Sequence, residues 1–200
     1  MIDQPFRALL PKFTGPLIHI YKKLGLSPNH LTVLGFLCAL ATAGLVVKGM
    51  FVEAFFMWWL GRLFDGTDGI LARETGQSSD FGAHLDILLD MASYSIVIVA
   101  LHDVFPELGL NWALILSMYA LCITGALSLG ALEEKRSISY DDNRGLRLTT
   151  GLAEAGETGI AYSVFFLFPA WIEISSWIWI GILLITVLAR LYLARKILRS

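Results

Sequence analysis

Cysteine is nearly absent from this chain: two residues in 200, Cys38 and Cys122, both in apolar stretches and far from any metal-ligand spacing. Their scarcity argues against a disulfide framework or a cysteine-based metal site and leaves both thiols as small core side chains without a redox role. Charge is sparse as well. Asp, Glu, Lys and Arg make up 16% of the residues, and 15 basic against 17 acidic side chains give a net charge of −2. No nucleic-acid motif stands out, so no nucleic-acid partner is expected, and no internal repeat is visible. Residues 1–27 lack the long apolar core and small-residue cleavage site of a secretory signal, and Pro5, Pro11 and Pro16 interrupt them.

What the chain has in excess is apolar sequence. A hydrophobic content of 56% and a mean hydropathy of +0.67 are too high for a soluble domain. Six apolar segments, roughly 30–49, 51–71, 82–101, 110–132, 152–171 and 174–194, each approach the length that crosses about 30 Å of hydrocarbon. The expected fold is an all-α polytopic membrane protein of one domain, residues 1–200, with a six-span core over 28–200. In residues 1–27, Phe6, Leu9, Leu10, Phe13, Leu17, Ile18, Ile20 and Tyr21 mingle with Arg7, Lys12, Lys22 and Lys23. That mixture predicts an amphipathic segment in the membrane interface, the alternative being a disordered tail. Of the 15 Lys and Arg residues, all but Lys48 and Arg62 fall on one side of the six-span arrangement. Basic residues in short loops stay cytoplasmic, so both termini and the loop after Arg73 are expected there, where anionic lipid headgroups are met.

The polar residues inside these spans carry the functional signal. Asp65, Asp68, Gly69, Ala72 and Arg73 are followed, after eight residues, by Gly82, Asp86 and Asp90. On a helix, Asp65, Asp68, Gly69 and Ala72 fall within a stripe roughly 100° wide, and Gly82, Asp86 and Asp90 within roughly 80°. An Asp at the centre of a membrane helix costs about 2.5–3.5 kcal/mol on insertion scales, so four of them must be offset. Oxygen donors converging from two consecutive helices suit Mg²⁺ or Mn²⁺ better than Zn²⁺. Two ions about 3.5–4 Å apart would neutralise a diphosphate. Gly69, Ala72 and Gly82 leave room for a ligand, and Arg73 at the cytosolic end is suited to hold a phosphate. Buried ion pairs with Arg62, Arg73 or Arg190 are the competing explanation. Three arginines cannot balance four Asp with Glu154 and Glu157 nearby, and ion pairing does not explain the glycines.

The pattern Asp-x2-Asp-Gly-x2-Ala-Arg-x8-Gly-x3-Asp-x3-Asp resembles the signature of the CDP-alcohol phosphatidyltransferases, without gap or substitution. Eight fixed positions at average residue usage coincide by chance about once in 10¹⁰ starting points. The resemblance implies an enzyme of phospholipid biosynthesis that transfers a phosphatidyl group from CDP-diacylglycerol to an alcohol and releases CMP. It also implies an integral protein of the bacterial cytoplasmic membrane, working as a homodimer with its active site facing the cytosol. Carried over by position, Asp65, Asp68 and Asp86 become metal ligands, with Asp90 contributing to the metal site and acting as general base. Gly69, Ala72, Arg73 and Gly82 correspond to positions around the diphosphate and nucleotide. Asn29 and Thr32 are further nucleotide contacts, although Asn29 reads equally as the N-cap of the first span.

Glu133, Arg136, Arg144, Arg147, Glu154 and Glu157 are candidates for the acceptor pocket, with a solvated helix end as the plain alternative for the residues around Glu133. The branch of the family that uses inositol phosphate carries a Lys and an Arg two residues apart near the end of the fourth span, and Ala131 and Glu133 stand there in this chain. That departure points to an unphosphorylated alcohol such as inositol or serine. Arg136, Arg144 and Arg147 keep glycerol phosphate and inositol phosphate open. His84, about 160° from Asp86 around the helix, reads as a packing or interfacial residue. A cation or solute transporter would spread its carboxylates along the membrane normal, whereas these gather at one end of two helices. A membrane prenyltransferase, also Asp-rich, is disfavoured by the short chain and by the Gly-x2-Ala-Arg spacing.

Overall fold

The computed structural model describes residues 14–136 and 155–199, and among them all regular structure is helical. Helix α1 covers 14–23. It is followed by α2 (Pro28–Val47), α3 (Phe51–Thr75), α4 (Asp80–Val104), α5 (Gly109–Lys135), α6 (Ala155–Leu167) and α7 (Ile172–Arg199), with 3₁₀ turns at Pro106–Leu108 and Pro169–Trp171. Helix α2 packs on α3 and α4, α5 on α4 and α7, and α6 on α3 and α7.

Cap chemistry sets the boundaries that matter for the site. Ser27 opens α2: its hydroxyl accepts from the His30 N–H at 3.3 Å, while His30 Nδ1 accepts from the Ser27 N–H at 3.1 Å. Asn29 is therefore not the cap. A residue before proline is held in extended backbone, so Pro28 makes Ser27 (φ −87°, ψ 160°) the last non-helical residue and places Asn29 inside the first turn. Helix α3 stops at Gly76, whose φ of 65° is left-handed, and Ser79 caps α4 by accepting from the Gly82 N–H at 3.1 Å. The connection is thus residues 76–79, shorter than the loop of about ten expected from hydropathy, because both helices run on beyond their apolar stretches into polar sequence.

The main core joins α2 through α7 around Trp58, Tyr94, Trp112, Tyr119, Tyr162 and Trp179. Two hydrogen bonds run through it: the Tyr162 hydroxyl donates to the Tyr94 carbonyl at 2.9 Å and Trp179 Nε1 to the Tyr119 hydroxyl at 2.9 Å. A smaller cluster of Ile18, Tyr21, Leu31, Ile70 and Leu71 docks α1 against the end of the α2–α3 pair. The exposed pair Lys22–Glu74, at 2.7 Å, lies beside it.

Among the described residues, four helical stretches are long and apolar enough to cross a membrane: Pro28–Val47, Asp80–Val104, Pro106–Lys135 and Pro169–Arg199. Large apolar side chains point outward from the bundle, among them Phe56, Leu110 and Trp171, each about two-thirds exposed. A surface of that kind belongs in lipid, and the chain is an integral membrane protein. The six-span expectation is met in part. Helix α3 has the length, but Glu53, Arg62, Asp65, Asp68, Arg73 and Glu74 interrupt its apolar sequence, and α6 is described over only 13 residues.

Candidate active site

The site begins where two backbones touch. A Cβ on Gly61 would stand 3.1 Å from the Gly35 carbonyl oxygen and 3.0 Å from Cys38 Cβ, and one on Gly35 would stand 3.2 Å from the Gly61 oxygen. Only the missing side chains let α2 and α3 cross this closely. One turn beyond Gly61 comes Asp65, and the close crossing brings the Thr32 hydroxyl of α2 to donate to Asp68 Oδ2 at 2.6 Å. Gly35 and Gly61 escaped the sequence reading, since an isolated glycine in an apolar helix carries no signal of what it faces.

Asp65 and Asp68 of α3 meet Asp86 of α4. One oxygen from each of the three carboxylates lies within 4.8 Å of the others, and Asp68 is buried. Oxygens bound to a single small divalent ion stand at most about 4.2 Å apart, so side-chain adjustments of a few tenths of an ångström close the triad on one. The set is all oxygen, as Mg²⁺ or Mn²⁺ prefers. The triad fits a divalent cation.

Asp90 lies beside that triad, sharing a guanidinium nitrogen with Asp65. Its Oδ1 accepts from Arg62 Nη1 at 2.7 Å, and the same nitrogen lies 3.3 Å from Asp65 Oδ2 and 3.2 Å from the Tyr94 hydroxyl. The ion-pair explanation set aside on sequence grounds therefore holds for part of the constellation, with Arg62 pairing Asp65 and Asp90. Of the other two arginines, Arg73 lies over Gly69, and Arg190 Nη1 donates to the Cys122 carbonyl at 2.6 Å.

Beside the triad, α2, α3 and α4 enclose a cleft of about 200 Å³. Asn29, Thr32, Gly69, Ala72, Arg73 and Gly82 all line it, together with Asp68 and Asp86. The glycines keep it open: a Cβ on Gly82 would meet Asn29 Oδ1 at 3.1 Å and Ser79 Oγ at 3.2 Å, and one on Gly69 would meet Arg73 Nη1 at 3.4 Å. Gln77, Ser78 and Ser79 of the α3–α4 turn complete the wall. Their part was not foreseen, because the connection was expected to run to about ten residues. Among the described residues, Arg73 is the one cationic side chain in this wall, against the two carboxylates of Asp68 and Asp86. A diphosphate entering here meets net negative charge unless a cation sits on the triad.

The sequence model of the CDP-alcohol phosphatidyltransferase family matches residues 25–188. The chain belongs to this family. It is 30% identical over 210 residues to the inner membrane protein YnjF of Escherichia coli, covering 100% of this chain and 98% of that one. It is 29% identical over 191 residues to the archaetidylinositol phosphate synthase of Pyrococcus horikoshii, covering 93% and 94%. The fold is that of the Mycobacterium tuberculosis phosphatidylinositol phosphate synthase. Its structure in complex with manganese and citrate superposes with a TM-score of 0.73 at 24% identity, covering 91% of this chain and 88% of that one. Its structure with CDP-DAG bound superposes with a TM-score of 0.72 at 24% identity, covering 92% and 94%. This chain is thus a CDP-alcohol phosphatidyltransferase, a membrane enzyme of phospholipid synthesis that passes a substituted phosphate from a CDP-linked donor to an alcohol.

Of the residues expected to form an acceptor pocket in this transferase, three are among the described residues. Glu133 is buried on α5 and Glu157 half-buried on α6, while Arg136 Nη1 donates to the Leu198 carbonyl at the end of α7, 2.7 Å away. None of the three lines the cleft. Arg144, Arg147 and Glu154 lie outside the described residues. His84 is exposed on α4, in keeping with an interfacial position.

Proposed function

We propose that this transferase uses CDP-diacylglycerol as donor and a small unphosphorylated polar alcohol, such as inositol or serine, as acceptor, releasing CMP. The observation that carries the reading is the cleft: six residues placed around the donor by motif position line one cavity, and that cavity opens on the carboxylate triad. The manganese and CDP-DAG complexes of the structural neighbour support the same assignment.

In this reading Asp65, Asp68 and Asp86, with Asp90 contributing, would hold Mg²⁺ or Mn²⁺, two ions being the expectation; the metal when bound supplies neutralising charge and polarises the phosphorus under attack. Arg73 donates to the diphosphate. Asn29 and Thr32 contact the nucleotide, and Gly69, Ala72 and Gly82 let it approach the helix backbones. Asp90 takes the proton of the acceptor hydroxyl as its oxygen bonds to the lipid phosphorus and the bond to CMP breaks. Arg62 orients Asp90 for that transfer.

The acceptor preference rests on the far end of α5. Ala131 and buried Glu133 stand where a phosphate-binding branch has a basic pair, and Arg136 is engaged with a helix-end carbonyl. The name of the Pyrococcus relative favours the alternative, inositol phosphate. Purified protein given CDP-diacylglycerol and a panel of alcohols should release CMP with inositol or serine. A response confined to inositol phosphate or glycerol phosphate would reverse the assignment.

The basic asymmetry supports six spans, an interfacial α1, both termini in the cytoplasm and a cytosol-facing cleft. The family resemblance supports a homodimer, which cross-linking or mass measurement in detergent tests. Cysteines introduced at residues 105 and 173 should react with an impermeant reagent only from the outside of intact cells. Reaction only from the cytosolic side would overturn the arrangement.

A further inference from the structure

Away from the catalytic cleft, positive charge gathers where α5 and α7 end. Arg195, Lys196 and Arg199 of α7 and Lys135 and Arg136 of α5 are all exposed, and Arg136 Nη1 ties the two ends together by donating to the Leu198 carbonyl at 2.7 Å. Acids are few there: residues 190–199 contain none, and of Glu133 and Glu134 the first is buried. We propose that the outward face of α7 is a docking surface for anionic phospholipid, with Arg195, Lys196 and Arg199 on the headgroup and the apolar stripe before them along the acyl chains. This surface is separate from the cleft between α2, α3 and α4, and its role goes beyond the transfer reaction.

Direction around the helix is the first argument. Ile174, Ile185, Leu188 and Tyr192 are each more than half exposed, and at about 100° per residue they fall within roughly 60° of one another. Arg195, Lys196 and Arg199 continue that stripe, all of them inside a sector roughly 100° wide that contains it. Arg190 supplies the contrast. It lies roughly 160° from Tyr192 around the axis, and its Nη1 donates into the bundle, to the Cys122 carbonyl at 2.6 Å. The cations of α7 thus divide, one toward the protein and three toward lipid.

Depth is the second. From Ile172 to Tyr192 the helix rises about 30 Å, the thickness of the hydrocarbon layer. Trp171 and Tyr192, 64% and 73% exposed, then stand at its two boundaries, where amphipathic aromatic rings settle. Arg195 comes about 5 Å beyond Tyr192, in the headgroup layer. Helix side chains lean toward the N-terminus, so Arg199, one turn further, points back to the same layer. A solvated helix end has no reason to align its cations with a lipid-facing stripe. Guanidinium groups bind phosphate oxygens bidentately, and each Lys or Arg close to an anionic surface adds to the attraction.

The test reconstitutes the full chain in phosphatidylcholine bilayers, with phosphatidylglycerol or phosphatidylcholine spin-labelled in the acyl chain as probe. Electron paramagnetic resonance then measures the motionally restricted fraction, which should show a preference for phosphatidylglycerol of at least about threefold. Arg195→Gln/Lys196→Gln/Arg199→Gln should bring that ratio close to one, while CMP release in uncharged detergent, the check on folding, is unchanged. Should the triple variant fail to fold, Arg199→Gln alone must lower the ratio. Equal restriction of both lipids by the unaltered protein would overturn the proposal, as would a preference that survives the triple substitution. Lys22→Gln/Lys23→Gln on α1 should keep most of the preference, and its loss there would move the surface to α1 and overturn the assignment to α7. Inorganic phosphate that abolishes the preference where sodium chloride of equal ionic strength does not would also overturn it, marking a site for the free anion instead of a lipid.

Discussion

Asp86→Asn should reduce CMP release by on the order of 10³-fold, the upper end of what loss of a single electrostatic stabiliser costs. Asp86 is the only member of the triad that α4 contributes, and it also lines the donor cleft. Asparagine keeps the volume and one oxygen but removes the charge, so the two α3 carboxylates are left to bind a divalent ion alone. With the ion weakened, a diphosphate entering the cleft faces Asp68 with only Arg73 to offset it. Because asparagine is isosteric with the aspartate it replaces, the variant should fold, and circular dichroism with size-exclusion profiles will show it. Raising Mn²⁺ should recover part of the activity. A folded variant that keeps more than a tenth of the original rate, with unchanged metal requirement, would place the ion elsewhere.

Asp90→Asn should lower turnover by at least about 10²-fold while leaving the KM for the CDP-lipid nearly unchanged. An alcohol attacks phosphorus poorly unless a positioned base accepts its proton as the new bond forms, and Asp90 is the carboxylate that is neither in the triad nor in the wall of the cleft. Asparagine retains an oxygen able to accept from Arg62, so the guanidinium keeps its hydrogen bond and the variant remains folded. Alanine would be a worse choice, since breaking a buried charge pair from one side costs about 3–5 kcal/mol. If instead KM rises and turnover at saturating donor is normal, Asp90 serves donor binding and the base lies elsewhere.

How far the sequence led depended on the range of each interaction. The carboxylate spacing is a local property of two helices, and it correctly placed Asp65, Asp68 and Asp86 on facing sides because consecutive membrane helices joined by a short turn must lie adjacent. The small residues were legible for the same reason: Gly69 and Gly82 share the stripes that carry the carboxylates, and the structure puts both in the cleft wall. Contacts between distant segments were not legible. The Gly35–Gly61 crossing and the stacking of Arg62 on Trp58 and Tyr94 depend on helix rotation, which no periodicity in such uniformly apolar helices reveals. Of the two readings left open for Asn29, the cap reading fails because Pro28 holds Ser27 in extended backbone and makes it the N-cap. The acceptor side was least readable, since its candidate residues come from several helices and from a segment outside the described residues.

The central claim is that the cleft between α2, α3 and α4 holds the CDP-linked donor beside a divalent ion on three carboxylates. Its most direct test is a crystal structure of the enzyme with Mn²⁺ and CDP-diacylglycerol, using the anomalous signal of manganese. The account predicts an anomalous peak within coordination distance of Asp65, Asp68 and Asp86, with the diphosphate beside it against Arg73 and the cytidine between Asn29, Thr32 and Gly69. Manganese away from these three carboxylates, or a donor bound outside the cleft, would contradict it.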